Sequence, residues 1–272
     1  MNTRAIWAIV RKDLKVALQN KGVVLPIIIL PVILFVVLPW VMAYAGTAVG
    51  TTGMSMNNMD ELLGRMPAGL LSELSQYTLE QQAVVFMLVY MFAPMFLIMP
   101  LMVSSVIAAD SFAGEKERKT LEALLYTPTT DRELFTAKLA GAWTAAVVVA
   151  VLSFVVYGVM VNAAGWRSIG HLFFPNWMWV ALVLWVTPAV AALGLVVMVF
   201  VSARAQGFQD AYQVGGMVVL PVLLLMVGQI SGVMYFSLGV VLFVGLVIWL
   251  IDAVLLWYAS KSFRRGELMT RF

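Results

Sequence analysis

Residues 110–138 read DSFAGEKERKTLEALLYTPTTDRELFTAK. In twenty-nine residues they carry five Lys/Arg and six Asp/Glu. On either side lie apolar stretches long enough to cross a bilayer, which takes about 20 residues as a helix. The segment is therefore a polar excursion between two membrane spans, the place where this chain can meet a soluble partner. The whole chain supports that frame. Of its 272 residues 62% are hydrophobic and 11% charged, with mean hydropathy +0.96, whereas a soluble domain is about 25% charged. So much apolar surface fits the membrane class.

Outward from this segment, six spans are predicted: residues 22–45, 83–109, 139–162, 177–201, 212–229 and 236–259. Together they read as one all-α membrane domain over residues 1–272, with no internal repeat. Pro26, Pro31, Pro39, Pro94, Pro100 and Pro188 lie inside spans and predict kinks, tolerated where neighbours satisfy the freed carbonyls. Residues 1–20 predict an amphipathic helix at the membrane interface, with Ile6, Trp7, Val10, Leu14, Ala17 and Leu18 near one face and Arg4, Arg11, Lys12 and Lys15 largely elsewhere. The first apolar run is longer than a signal core and is expected to stay as an anchor. A second short amphipathic helix is expected within residues 59–79.

Of the 17 Lys/Arg, fifteen fall in residues 1–21, 110–138, Arg204 and 260–272, if both termini are cytoplasmic; Arg65 and Arg167 fall outside. The positive-inside rule then fixes six spans with both termini and the charged segment in the cytoplasm.

Several chemistries are excluded. With no Cys and one His, His171, there are no disulfides, thiolate metal sites or multi-histidine centres. Met54, Met56 and Met59 admit two readings, a soft Cu(I) thioether site or ordinary gap filling in a chain with 18 Met. The run from Gly114 to Thr120 superficially resembles a phosphate loop, but Arg118 occupies the position of its second glycine and no strand precedes it, so nucleotide binding by this chain is rejected. No HExxH, GxSxG or intramembrane aspartate pair is present, and the chain reads as non-catalytic.

Within the charged segment, Gly114 is expected to end the second helix. Residues 116–126 predict a short helix with Leu121, Leu124 and Leu125 on one face, ended by Thr127-Pro128. Thr130 and Glu133 form a capping-box pattern that starts the next helix. The short helix suits a groove in a soluble partner; the alternative is a solvated loop whose leucines rest on the membrane. Deeper in the chain, Asp252 is the one acid well inside a span, as a transport residue or a structural partner. Gln213, in a polar strip with Gln206, Gln209 and Asp210, admits two readings, the lining of an inner vestibule or the solvated start of a helix; it and Gln229, at the far tip of span five, are further candidates for the transport pathway.

The run GEKERKTLEALLYTP, residues 114–128, followed by Arg132-Glu-Leu and Lys138, resembles the signature of ABC-type export permeases of the six-helix type 2 class. Lys119 stands where that family commonly has glycine. The resemblance implies a type 2 exporter architecture with an interfacial N-terminal helix and a cytoplasmic coupling helix. It implies a prokaryotic inner or plasma membrane location, two permease copies pairing as a homodimer, and two separate ABC ATPase subunits. ATP and Mg would be bound by those subunits, leaving no cofactor in this chain and no call for nucleic acid. Glu115, Glu117, Arg118, Glu122 and Arg132 would contact the ATPase around the docked Leu121, Leu124 and Leu125. ATP binding would push the coupling helices and switch the cavity between the permeases. Two other classes remain as alternatives: an ion-coupled secondary transporter, which would need further buried ionisable groups and repeats, and a membrane scaffold for a soluble complex. The substrate is not legible.

Overall fold

The computed structural model describes residues 3–51, 68–119, 130–231 and 233–262. Residues 120–129, the Met54/Met56/Met59 pattern and the basic tail lie outside the described residues. Among the described residues the chain is helical, without strands.

Six helices are long and apolar enough to span a membrane: Lys21–Ala45, Glu80–Glu117, Glu133–Ile169, Trp177–Arg204, Phe208–Ile230 and Leu238–Ala259. Each coincides with an expected span. Spans two and four form the centre, with 78% and 72% of their most apolar stretch buried, against 28% or less for the other four. The N-terminal helix Thr3–Gln19 precedes them and packs on span three. It ends at Asn20, whose extended backbone turns the chain into span one and whose Oδ1 accepts from the Gly22 N–H at 3.0 Å.

Span boundaries differ from the hydropathy reading because polar caps, not the end of the apolar run, terminate the helices. Span two continues to Glu117, eight residues beyond expectation. Span three belongs to one helix, Asp131–Ile169. Thr130 starts it as expected: its Oγ1 accepts from the Glu133 N–H at 3.3 Å, and its own N–H donates to Glu133 Oε2 at 3.1 Å. Gly170, at φ 76°, stops it in the left-handed conformation that glycine adopts freely. The helix thus absorbs Arg167, expected in a loop. Of the short helix expected within 59–79, Ala68–Leu74 is described, with Leu70 and Leu74 buried.

The prolines leave the spans continuous, and wide π-type turns lie beside Pro31, at Val32–Val37, and before Pro94, at Phe86–Met91. In the second of these turns three consecutive carbonyls take side-chain donors from three different spans. Tyr157 Oη of span three donates to the Leu88 carbonyl, Trp179 Nε1 of span four to Val89 at 2.8 Å, and Gln229 Nε2 of span five to Tyr90 at 2.6 Å. Pro94 has no N–H to give the Tyr90 carbonyl four residues back, so the Gln229 amide supplies a donor there. A bilayer offers no water for such groups, so these donors come from the protein. The same side chains form the aromatic core: the Tyr157 ring stacks on Phe92 at 4.3 Å and lies 5.1 Å from Trp179.

Trp179→Phe keeps most of the packing but orphans the Val89 carbonyl. It is expected to destabilise the detergent-solubilised protein by about 1–3 kcal/mol, read as a lowered thermal unfolding midpoint. An unchanged midpoint would mean that this carbonyl needs no side-chain donor.

Candidate functional site at the charged end

The residues from Asp110 to Arg118 close span two, and their charged side chains bind other parts of the protein, except Arg118, which folds back on Asp110. A widened turn, Asp110–Gly114, precedes the last helical residues, Glu115–Glu117. It packs against span four and the helix that begins span five, touches the N-terminal helix, and is reached from span three by Lys138 and Phe135.

At the centre is Lys138 of span three, 2% exposed. Its Nζ donates to Glu115 Oε2 at 2.6 Å and to the Ser111 carbonyl at 2.7 Å, and lies 3.5 Å from Asp13 Oδ2. Lys12 closes the cluster, pairing with the other Glu115 oxygen and lying 3.2 Å from Asp13 Oδ1. Two cations therefore face two anions, joining the N-terminal helix, span two and span three. Burial pulls the Lys12 amine down, but the hydrogen bond and charge of Glu115, with Asp13, outweigh it and hold the amine above its ordinary value of 10.5. A raised folded-state pKa gives full stabilisation below the ordinary range and loses it only as pH climbs past that range. The Lys12 contacts thus persist across physiological pH.

A second tie lies beside the first. Asp110 Oδ1 accepts from Arg118 Nη1 at 2.9 Å and from Asn20 Nδ2 at 2.9 Å, joining the end of span two to the turn before span one. Gly114 permits this geometry: a Cβ there would meet Asp110 Oδ1 at 2.9 Å and the Arg118 guanidinium at 3.3 Å. A third tie reaches the connection between spans four and five. Lys116 Nζ donates to the Ala205 carbonyl at 3.3 Å, and Glu117 Oε2 accepts from the Phe208 N–H at 2.9 Å, at the start of the next helix. A carboxylate suits that position, where helix N–H groups are free.

The expected sites are placed unevenly. Glu117 and Arg118 are exposed and close to the connection that leads into residues 120–129. Glu115, expected as a surface contact, is 3% exposed and engaged on both oxygens, so its carboxylate is an internal tie. Gly114 was expected to end span two; it stays in right-handed helical backbone, and the chain turns instead at Lys119, whose φ is 56°. That is the position where glycine is common in the resembled family, and a left-handed conformation costs a side-chain-bearing residue about 1–2 kcal/mol. Leu121, Glu122, Leu124 and Leu125 lie outside the described residues, and Arg132 is described only in its helical backbone.

Of the expected pathway residues, Gln229 is 1% exposed and binds the Tyr90 carbonyl. Gln213 lines a cavity of about 610 Å³ between spans two and five, shared with Leu101, Ser105, Met198 and Leu223. Asp252 lies elsewhere, fully buried in span six, and neither carboxyl oxygen has a hydrogen-bond partner among the described residues. The three residues do not form one site.

Asp13 and Lys138 were missed. Ile9, Asp13 and Ala17 recur every four residues and share the buried stripe of the N-terminal helix, while Trp7 and Leu18, expected on that stripe, are exposed. An acid on the apolar face of a basic helix was the available signal. Among the described residues no group of acids, His or Cys could hold a metal ion.

A family model described as ABC-2 family transporter protein matches residues 7–256. No curated protein and no solved structure gives a significant match.

Two outcomes follow. Lys138→Met leaves two carboxylates facing one lysine and is expected to destabilise by about 3–5 kcal/mol; adding Glu115→Gln should recover part of the loss in thermal unfolding. A double variant no more stable than Lys138→Met would remove the charge cluster as the cause. Asp252→Leu removes an enclosed carboxyl that has no partner among the described residues and should raise the unfolding midpoint, since burying an unpaired polar group costs about 1–3 kcal/mol. A lowered midpoint would reveal a partner for Asp252.

Proposed function

The chain belongs to the ABC-2 family of transporter proteins, and we propose that it is the membrane-spanning permease subunit of an ATP-driven exporter. The family implies association with an ABC ATPase, and the chain is a multi-pass membrane component of such a transporter. The reading beyond this has four parts. Both termini and residues 110–138 face the cytoplasm of a prokaryotic cell. Two copies pair as a homodimer. Each engages one of two ATPase subunits through a coupling helix within residues 116–126. The ATPase subunits bind ATP and Mg, and this chain itself catalyses nothing.

One observation carries the coupling reading. The residues immediately before 120–129 are tied by side chains to the N-terminal helix, to span three and to the connection between spans four and five. A displacement of the coupling segment is therefore delivered to several spans at once, rather than absorbed in a loose loop. Glu115 contributes by holding that connection rigid, and Glu117, Arg118, Glu122 and Arg132 remain the polar residues nearest the partner. An exposed pair is worth about 0–1 kcal/mol, so the apolar Leu121, Leu124 and Leu125 carry most of the docking.

At the other end Gln229 links span five to span two through the Tyr90 carbonyl. In this reading the link holds the outer exit closed, and outward opening exchanges it for water. The cavity lined by Gln213 lies between the same two spans, on the cytoplasmic side of that closure, where substrate would be received.

The purified chain is expected to show no ATPase activity alone and to raise the rate of an ATPase encoded beside it when both are reconstituted. Leu124→Asp or Leu125→Asp should abolish that assembly and its stimulated rate, with the permease still folded by thermal unfolding. Unchanged assembly and rate in both variants would sink the coupling-helix reading. Transport by the chain alone in ATP-free vesicles would replace it with an ion-coupled carrier.

A further inference from the structure

We infer that the cavity between spans two and five receives a neutral amphiphile from the inner leaflet, and not an inorganic ion or a charged metabolite; this rests on the permease reading above. At about 610 Å³ the cavity has the size of a site for a drug- or lipid-sized molecule. None of its lining residues is charged. A cation would need several oxygen ligands to replace its water, and a charged metabolite would need a counter-charge to offset desolvation. Neither is offered.

The lining is also graded along its length. Ser105, Tyr212 and Gln213 lie toward the charged end, whereas Leu101, Leu220 and Leu223 lie toward the middle of the spans. From Gln213 to Leu223 the helix rises about 15 Å. The polar end therefore sits at headgroup depth and the apolar end at acyl-chain depth, the polarity order of an inner-leaflet lipid. The Gln213 side chain is exposed, with no hydrogen bond among the described residues, and can serve an uncharged hydroxyl or ester head. Met198 and Met217 add flexible thioether walls that adapt to chains of different shape.

The opening comes from backbone. Span five stays helical at Gly215 and Gly216 but tightens into a short 3₁₀ turn, Gly216–Val219, ahead of Pro221. Gly215 is packed against Met198, whereas a Cβ on Gly216 would meet nothing within 4 Å. Gly216→Phe can therefore fill the cavity without displacing the packed helix face.

The test is photolabelling of the full chain in proteoliposomes with a diazirine-bearing monoacylglycerol, with sites mapped by mass spectrometry. Label is expected on the cavity residues of spans two and five, displaced by unlabelled monoacylglycerol and not by tetraphenylphosphonium or sodium. Gly216→Phe should lower it about ten-fold, while Gly228→Phe, at a glycine equally open but at the far end of span five, should leave it intact. Label spread over all lipid-facing helices, equal displacement by the cation, or no loss in Gly216→Phe would overturn the proposal. So would efficient disulfide cross-linking of Gly216→Cys between copies in this otherwise cysteine-free chain, because a second copy would then fill the space. The labelling needs no ATPase. A chain that labels but never stimulates its ATPase defeats the permease reading alone, and one that stimulates without labelling defeats only the amphiphile.

Discussion

One ammonium group, Lys138 Nζ, holds three parts of this protein together. It bonds Glu115 at the end of span two and the Ser111 carbonyl in the widened turn before it, and it faces Asp13 of the N-terminal helix. The amine is enclosed, so its charge is tolerable only with these partners in place, and they are tolerable only with the amine. The mutual dependence fixes the register of the N-terminal helix on span three. It also fixes where the charged segment leaves the membrane domain. Once Glu115 is set, Lys116 and Glu117 reach the connection at Ala205 and Phe208, and Arg118 folds back on Asp110.

The opposite end of span two is held by different chemistry serving the same purpose. The ties to spans three, four and five there are not ion pairs; three carbonyls opened by a π turn ahead of Pro94 receive Tyr157, Trp179 and Gln229. In water such carbonyls would be solvated and the side chains indifferent. In a bilayer the unpaired carbonyl is the costly alternative, so the donors become ties between spans. Span two is thus the axis of the molecule, bound to neighbours by ion pairs where water is near and by backbone hydrogen bonds where it is not.

The spans were legible because hydropathy over about 20 residues is a strong signal, and the Thr130–Glu133 cap because its chemistry is local. The family was legible in the run from Gly114 to Pro128. The direction in which charges face was not. Glu115 and Glu117 are two residues apart in one short run, yet one is enclosed and the other exposed, and the positions of Lys12 and Lys138 decide which. Those partners lie outside that run, on other helices, so no local pattern could pair them with Glu115. Likewise Gln229 read as a polar group at a tip, because its role depends on a proline in another span. The stop at Lys119 was missed for a further reason: the Asp110–Arg118 tie lets the helix run past Gly114 and moves the left-handed turn onto a lysine.

These two sets of ties distribute stiffness in a way that bears on movement. Span two is central and bound at both ends to several elements. Span five is peripheral, with only 17% of its most apolar stretch buried, and among the described residues its side-chain ties to other spans are to span two, at Phe208 and at Gln229. Between those ties its helix carries Gly215, Gly216 and Pro221 and tightens into a 3₁₀ turn at Gly216–Val219. A helix fixed at its ends and weakened in its middle bends at the weak point when one end is displaced. Because the end at Phe208 is held by Glu117, span five is linked to the charged end of span two, alongside the N-terminal helix and span three. The cavity lies beside that same stretch, so the element linked to Glu117 at one end and to Tyr90 at the other also forms a wall of the cavity between them.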